Sequence, residues 1–266
     1  MTRSEFQQLF GAERVLIGMV HLRPLPGAPR YAGEFEAVVE QAVGEATALA
    51  GAGFHGVLVE NFQDVPFYPE RVPPETVAAM AAAVREVTRA VAVPVGVNVL
   101  RNDGAAALAV AVAARAAFVR VNVLTGAMVT DQGLIQGRAH ELLRLRHALG
   151  AAVFLFADVM VKHAQPLGPL LLAQAAEETA GRGLADALIV SGAGTGKPAD
   201  LADAATVRAA VPELPLLLGS GVTAETLRAS LAAADGVIVG SALKPGGRAE
   251  APLDPALARA FVQAVG

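Results

Sequence analysis

The chain has 266 residues, of which 54% are hydrophobic and 17% are charged, and its formal net charge is −4 at pH 7. This composition excludes a disordered chain, which would be poor in apolar residues. An acidic balance without any lysine or arginine run argues against nucleic acid as the main ligand. The absence of cysteine excludes disulfides, thiolate nucleophiles and cysteine-bound metals, and it fits a reducing cytoplasm.

The apolar stretches are too short to span a membrane. The longest uncharged one near the middle, 105–114, is cut by Arg115 and falls far short of the ~18–20 residues that cross a bilayer. The first residues lack the apolar segment and the cleavage site of a signal peptide. We therefore expect a cytoplasmic protein without a transmembrane segment, and peripheral association with a membrane stays open.

Eight short apolar runs recur along the chain, as expected for strands of a parallel sheet that is covered on both faces. The runs are Val15–Val20, Phe54–Val59, Val93–Leu100, Phe118–Leu124, Val153–Val159, Ala187–Val190, Leu214–Leu218 and Gly236–Val239. Stretches with helical spacing lie between them: Glu34–Ala52, Pro74–Ala90, Asp103–Ala114, Gly133–Leu149, Pro169–Arg182, Leu201–Ala210, Thr223–Leu231 and Pro255–Val265. Pro74, Asp103 and Thr223 are helix start signals, and Gly53 and Gly150 stand where helices should stop.

Eight alternations of strand and helix predict a single (β/α)₈ barrel, a fold typically built from ~250 residues. No linker divides the chain, so we expect one α/β domain over residues 1–266, with 1–13 as an N-terminal extension. An open doubly wound sheet is the alternative. That fold would usually carry a glycine-rich dinucleotide turn after its first strand, whereas this chain continues there as His21-Leu-Arg-Pro24.

Polar and reactive side chains follow the apolar runs, whereas alanine, valine and proline mostly precede them. In parallel barrels the site forms at the C-terminal ends of the strands. Burying such groups inside strands is costly unless they are paired or have a task. The predicted catalytic residues are Glu60, Arg120, Asp158, Lys162 and His163. The predicted substrate-binding residues are His21, Asn61, Asn98, Arg101, Asn122 and Ser191.

Proton transfer is assigned to Asp158 or Glu60, with Arg120, Lys162 or His163 stabilising a developing oxyanion. The alternative for Asp158 is a structural ion pair at the barrel mouth with a cation such as Arg120. A Schiff base on Lys162 is a narrower hypothesis. The nearness of a carboxylate argues against the lowered lysine pKa that an imine needs.

Two glycine-serine turns predict a phosphate site. They are Leu218-Gly-Ser-Gly-Val-Thr223 and Val239-Gly-Ser-Ala242, and they follow the seventh and eighth runs, the usual place for phosphate in barrels. Glycine lets the backbone approach an anion closely, although such glycines could also serve only to make tight turns. The predicted phosphate-binding residues are Gly192, Gly219, Ser220, Gly221, Gly240 and Ser241.

The segment Ser191–Lys197 resembles a P-loop but lacks its first glycine, and Pro198 replaces the required serine or threonine. We expect a loop over the site, with Lys197 closing on an anion, or else a plain solvent loop. No cofactor is expected. A divalent metal at His21, Glu60, Asp158 and His163 is a minor alternative, which no spacing motif such as HExxH supports.

Long ordered motifs between residues 14 and 247 resemble the BtpA/SgcQ family. They are Val20-His-Leu-Arg-Pro-Leu-Pro-Gly27, Val59-Glu-Asn-Phe62, Gly96-Val-Asn-Val-Leu-Arg-Asn-Asp103, Arg120-Val-Asn-Val-Leu-Thr-Gly126, Thr130-Asp-Gln-Gly133, Ala157-Asp-Val-Met-Val-Lys-His-Ala164 and the turn that ends at Thr223. Gln63 departs from the pattern, since the family is expected to favour glycine there.

The resemblance implies a barrel similar to the ribulose-phosphate-binding barrels. One branch of the family is linked to biogenesis of photosystem I and another to genes of sugar uptake and metabolism. Two hypotheses follow. The first is an isomerase, epimerase or lyase that acts on a small phosphorylated sugar or similar anion. The second is a non-catalytic assembly factor for membrane complexes. The expected partners are a small anionic substrate and further copies of the chain in a homo-oligomer.

Overall fold

A closed barrel of parallel strands forms the centre of the molecule. The computed structural model of the protein describes residues 1–192, 194, 196 and 199–264. Its strands are β1 (Val15–His21), β2 (Gly56–Glu60), β3 (Val95–Asn98), β4 (Phe118–Val121), β5 (Ala127–Thr130), β6 (Gly133–Gln136), β7 (Phe154–Asp158), β8 (Ala164–Pro166), β9 (Ala187–Ser191), β10 (Leu216–Gly219) and β11 (Gly236–Val239). All except β5, β6 and β8 form the barrel, in chain order around the ring, and β1 pairs with both β2 and β11. The eight predicted runs and the barrel are thus confirmed.

Helices cover the barrel, the first from below and the others around its sides, where they bury the outward-facing apolar side chains of its strands. They are α1 (Arg3–Phe10), α2 (Phe35–Ala52), α3 (Pro74–Ala90), α4 (Gly104–Ala114), α5 (Ala139–Ala148), α6 (Leu172–Glu177), α7 (Leu201–Ala210), α8 (Leu227–Ala233) and α9 (Pro255–Gln263). Two of the predicted helix start and stop signals lie at helix ends, as expected. Asp103 caps α4 by accepting a hydrogen bond from the Ala106 N–H, and Gly53 ends α2 with a φ of 102°. No helix among the described residues is long and apolar enough to cross a membrane.

The residues expected to be an N-terminal extension form a helix that closes the bottom of the barrel. Thr2 and Glu5 make a capping box at the start of α1. Phe6 and Phe10 of this helix are buried against Phe118 and Phe156, whose rings stack inside the barrel with centroids 4.6 Å apart. Gly96 makes room for that stack, since a Cβ there would lie 2.2 Å from a ring carbon of Phe118. The mouth at the opposite end is therefore the open end of the barrel.

The prediction of one helix over Gly133–Leu149 is wrong in its first part. Residues 133–136 form β6, which pairs antiparallel with β5, and β8 adds to the other edge of β5. The hairpin connects Thr130 to Gly133 through two residues, and Gly133 has the positive φ, 98°, that favours glycine at such a turn. Two further helices start later than predicted: α6 at Leu172, after an extended residue, and α8 at Leu227, after a turn over 224–226.

Candidate functional site

Buried polar side chains gather at the C-terminal mouth of the barrel, as the sequence predicted. Parallel strands end at one edge of the barrel, so the residues that end them become neighbours. The side chains concerned are each less than a tenth exposed. They are His21, Glu60, Asn61, Asn98, Arg101, Arg120, Asn122, Asp158 and Lys244.

Asp158, at the end of β7, is fully occupied by hydrogen-bond donors. The Arg120 guanidinium donates to both carboxylate oxygens at 2.9 Å, and Asn122 Nδ2 and Ser191 Oγ donate at 3.0 Å each. Burial alone would lower the pKa of Arg120, but the opposing charge and hydrogen bonds of its partner hold it above the ordinary value. This geometry favours the structural ion pair that the sequence left open, and proton transfer by Asp158 stays a prediction.

Glu60, at the end of β2, is held on one side only. Asn98 Nδ2 donates to Glu60 Oε2 at 2.7 Å. The other oxygen, Oε1, lies 4.0 Å from His21 Nε2, and Glu60 lines two cavities of the mouth. A fixed carboxylate with one oxygen toward a cavity is suited to take a proton from a ligand bound there.

His21, at the end of β1, is kept neutral. Its Nδ1 lies 3.0 Å from the Ala249 carbonyl oxygen and 3.2 Å from Lys244 Nζ, and its ring stacks on Phe62 with centroids 4.3 Å apart. Burial, followed by the charge of Lys244, lowers the pKa of His21 to about 3. Since a neutral imidazole can donate or accept a hydrogen bond without adding charge, His21 is suited to a polar ligand contact.

The two glycine-serine turns line one small cavity, together with acid/base and cationic groups. Its lining residues are Met19, His21, Glu60, Phe62, Arg120, Lys162, Gly196, Ser220, Gly221, Val222, Ile238, Gly240 and Ser241. The turns after β10 and β11 therefore face the same space, as predicted. Gly219, also predicted to bind phosphate, ends β10 and lies beneath this cavity against Ile189.

The backbone of these two turns can approach a ligand in the small cavity closely. Ser220 and Gly221 have φ values of 67° and 63°, and within the described part of the chain neither of their N–H groups donates a hydrogen bond. A Cβ on Gly240 would approach His21 Cε1 to 3.1 Å, so glycine lets this turn pack against the imidazole. Open N–H groups beside a cavity favour an anion.

A large cavity of about 530 Å³ adjoins the small one and shares four lining residues with it. Its walls are Arg30, Glu60, Phe62, Gln63, Val65, Phe67, Leu100, Arg101, Arg120, Asn122, Asp131, Gln132, Lys162, His163 and Glu250. A side cavity of about 460 Å³ lies beyond Lys162 and His163 and includes Ser191 and Gly192. The mouth is thus large enough for a sugar-sized ligand.

Lys162 lies where the small, large and side cavities meet. Burial lowers the pKa of Lys162, and the charge of Arg120 lowers it further, against the opposing effect of Glu60 and Asp158. The expectation that a nearby carboxylate would prevent a lowered pKa is therefore wrong. The reason is that the loss of hydration on burial is the largest influence on this amine and outweighs the attraction of Glu60 and Asp158.

Arg101 and Asn122 both offer unused polar groups to the large cavity. Arg101 Nη2 donates to the Lys162 carbonyl oxygen at 2.7 Å, and within the described part of the chain Arg101 has no carboxylate within 4.0 Å. Asn122 Oδ1 is buried without a hydrogen-bond partner there. A guanidinium fits an anion, and an unpaired amide oxygen fits a ligand hydroxyl.

Other predicted site residues support the mouth without lining its cavities. Asn61 accepts from the Leu100 N–H at 2.7 Å and donates to Asp64, which fixes the loops after β2 and β3. Asn98 acts through Glu60, as described above. Lys197 lies outside the described residues.

The metal alternative gains no support from the described residues. Among the residues that the structure describes, no group of three or more histidine, aspartate or glutamate side chains is placed to hold a metal ion. Of the four candidates, Asp158 is taken by Arg120, and His163 is exposed at the rim.

Several wall residues were missed in the sequence. The turn of the β5–β6 hairpin brings Asp131 and Gln132 to the rim, and Arg30 and Glu250 reach it from other loops. The Thr130-Asp-Gln-Gly133 turn could have revealed the hairpin. Phe62 and Lys244 follow predicted strands, but their contacts with His21 arise only in the folded barrel.

The fold and the site define the class: a (β/α)₈ barrel whose mouth combines a carboxylate, cations and two glycine-serine turns around joined cavities. The chain belongs to the BtpA family, which it matches over residues 12–266. The resemblance seen in the sequence motifs is thereby confirmed.

Relatives span nearly the whole chain. It is 48% identical over 258 residues to the photosystem I biogenesis protein BtpA of Synechocystis sp., covering 97% of this chain and 90% of that protein. It is 32% identical to the putative sgc region protein SgcQ of Escherichia coli, covering 98% of each. Its barrel is similar to phosphoribosyl anthranilate isomerase from Thermus thermophilus, with a TM-score of 0.55 at 16% identity over 95% of this chain and 98% of that one. At that identity the likeness shows the fold alone.

Proposed function

We propose that the protein is an enzyme that binds a small phosphorylated sugar or similar anion at the barrel mouth and moves a proton on it. The observation that carries this proposal is the small cavity. There, the two turns meet Glu60, His21 and Lys162. A phosphate group at Ser220 and Gly221 places the rest of the ligand toward the large cavity, beside Glu60 and Arg101.

The chemistry assigned to this mouth is proton transfer beside a carbonyl group. Glu60 is the base. Asn98 holds its Oε2, whereas the nearest side-chain nitrogen given for its Oε1, His21 Nε2, is 4.0 Å away, which leaves Oε1 to take a proton. Lys162, Arg120 or His163 stabilises the negative charge that develops on the carbonyl oxygen. Isomerisation, epimerisation and retro-aldol cleavage all use such a set.

A thermal-shift comparison of ribose 5-phosphate with ribose tests the proposal. Ligand at about 100 times its Kd adds about 2.7 kcal/mol of stability, so the phosphorylated sugar should raise Tm by several degrees and ribose should not. Ser241→Asp places a negative charge in the small cavity and should abolish the shift. Ser4→Asp, on the exposed side of α1, is the matched control and should keep it. A panel of sugar phosphates without any shift, or a full shift in Ser241→Asp, would contradict the proposal.

The second candidate is a non-catalytic assembly factor. The name of the Synechocystis relative, a photosystem I biogenesis protein, favours it, as do exposed apolar side chains around the β5–β6 hairpin and β8. They are Val129, Leu134, Leu167 and Leu171. This function leaves the polar mouth unexplained. The test uses a Synechocystis strain from which the BtpA relative has been removed. Restoration of photosystem I by the Glu60→Gln variant would favour the assembly role. Restoration by the unaltered chain but not by Glu60→Gln would favour the enzyme.

A further inference from the structure

Lysine is rare in this chain and concentrated near the mouth. The sequence contains lysine at three positions, Lys162, Lys197 and Lys244. Lys162, after β7, lines the small cavity, and Lys244, after β11, contacts His21 of its wall. The rest of the described surface uses arginine as its cation. Since arginine cannot act as a nucleophilic amine, the choice of lysine here is informative.

The two lysines differ in how their amines are used. Lys244 is almost fully buried, and its Nζ donates to the Ala249 carbonyl oxygen at 2.8 Å and contacts His21. It supports the imidazole and has no access to a ligand. Lys162 lies where the three cavities meet, and within the described part of the chain its side chain has no hydrogen bond and no carboxylate within 4.0 Å. Its amine is therefore available to a ligand.

The surroundings of Lys162 favour the neutral amine. Burial is the largest influence on its pKa, and Arg120 and Arg101 add to the lowering, while Glu60 and Asp158 oppose it. Only the neutral amine is nucleophilic, so this balance supports covalent chemistry in addition to charge stabilisation.

We infer that Lys162 is a nucleophile that forms an imine with the carbonyl carbon of a phosphorylated aldehyde or ketone. This inference rests on the proposed function, because the phosphate at the two turns delivers the carbonyl group to the amine. The amine nitrogen attacks the carbonyl carbon, the oxygen takes one proton from the amine and one from solvent and leaves as water, and a protonated imine remains. No oxidant or second substrate is required.

The imine provides an electron sink for carbon–carbon cleavage. Glu60 takes the proton of a hydroxyl group on the carbon next but one to the imine. The bond between this hydroxyl carbon and the carbon adjacent to the imine breaks, its electron pair passes toward the imine nitrogen to give an enamine, and the hydroxyl carbon leaves as an aldehyde. The enamine carbon then takes the proton back from Glu60, and water hydrolyses the imine to release the second product and the free amine. Asn122 Oδ1, buried without a partner in the described residues, is placed to accept a hydrogen bond from another ligand hydroxyl.

Borohydride trapping tests this assignment with pyridoxal 5′-phosphate, an aldehyde that carries phosphate. The protein is incubated with the probe, reduced and mapped by peptide mass spectrometry. Three lysines and the terminal amine are the only targets of the chain. We expect the adduct on Lys162, its loss in Lys162→Arg, and its retention in Arg144→Lys, which adds a control amine on the exposed side of α5. Folding of each variant is checked by circular dichroism and Tm.

Pyridoxal, which lacks the phosphate, separates this inference from the proposed function. Labelling of Lys162 about tenfold faster by the phosphorylated probe, with protection by inorganic phosphate, supports both. Equal labelling of Lys162 by both probes supports the imine and overturns the phosphate anchor. Labelling elsewhere or none, while inorganic phosphate still raises Tm, overturns the imine and leaves the phosphate site intact.

Discussion

At the residue scale, the two carboxylates of the mouth have separate environments, which assigns them separate roles. Asp158 accepts four hydrogen bonds from three side chains and lines none of the three cavities. Among the described residues, Glu60 accepts a side-chain hydrogen bond from Asn98 only, and it lines two of the cavities. The sequence placed both at strand ends and could not separate them, because hydrogen-bond partners come from distant strands.

Asp158→Asn should therefore act mainly on stability. The change keeps the shape of the side chain but leaves the buried Arg120 guanidinium without its counter-charge, at a cost of about 3 kcal/mol. Urea denaturation measures it. Asp203→Asn, on the exposed first turn of α7, is the control and should cost less than about 1 kcal/mol. Unchanged stability in Asp158→Asn would mean that the pair is not structural.

Glu60→Gln should act mainly on turnover. Glutamine retains an oxygen for Asn98 but cannot take a proton, so kcat on a substrate found by the thermal-shift panel should fall by about 10²–10⁴ with little change in ligand affinity. Glu250→Gln, at the exposed rim of the same cavity, is the matched control. Full activity in Glu60→Gln would transfer the role of base to another group.

His21 should make stability depend on pH. The unfolded imidazole takes up a proton near pH 6.5, whereas in the folded chain its pKa is about 3. The stability present above pH 6.5 is therefore lost as the pH falls from 6.5 toward 3. His21→Asn should show a shallower loss than the wild type over this interval in denaturant titrations. Parallel curves for the two proteins would show that burial does not depress this imidazole.

At the element scale, helix α1 completes the barrel from below. Phe6 is fully buried and contacts the rings of Phe10 and Phe156. Its position explains why the residues before β1 are helical although no barrel repeat requires a helix there. The capping box and the spacing of the two phenylalanines, four residues apart, were the signals in the sequence.

Phe6→Ala should lower the free energy of unfolding by about 3–5 kcal/mol, because it leaves a cavity against the stacked rings. Gln8→Ala, on the exposed side of the same helix, should change it by less than about 0.5 kcal/mol. Chemical denaturation of both variants measures the difference. Similar small effects in both would mean that α1 does not stabilise the barrel.

The elements that the sequence predicted well are those with a single strong periodicity. The eight barrel strands are continuous apolar runs, and α3 and α7 begin and end where their patterns do. The β5–β6 hairpin was missed because Leu134 and Ile135 also fit the apolar face of the helix that follows. Its strands are short and lie outside the barrel, so tertiary pairing decides their structure.

At the scale of the whole molecule, the barrel separates stability from the site. Aromatic rings and α1 fill the bottom, whereas loops from many strands build the mouth. The sequence could predict which strand ends carry reactive side chains, since chain order fixes the order around a barrel. It could not predict the rim residues Arg30, Asp131 and Glu250. They lie in loops whose course over the mouth does not follow from the alternation of strands and helices.

The central claim is that the two glycine-serine turns bind the phosphate of a small ligand at this mouth. The most direct measurement is a crystal structure of the protein with ribose 5-phosphate at saturating concentration. We predict phosphate density in the small cavity, within hydrogen-bond distance of the Ser220 and Gly221 N–H groups, with the sugar beside Glu60 and Lys162. An empty small cavity, or phosphate bound elsewhere on the barrel, would contradict the account.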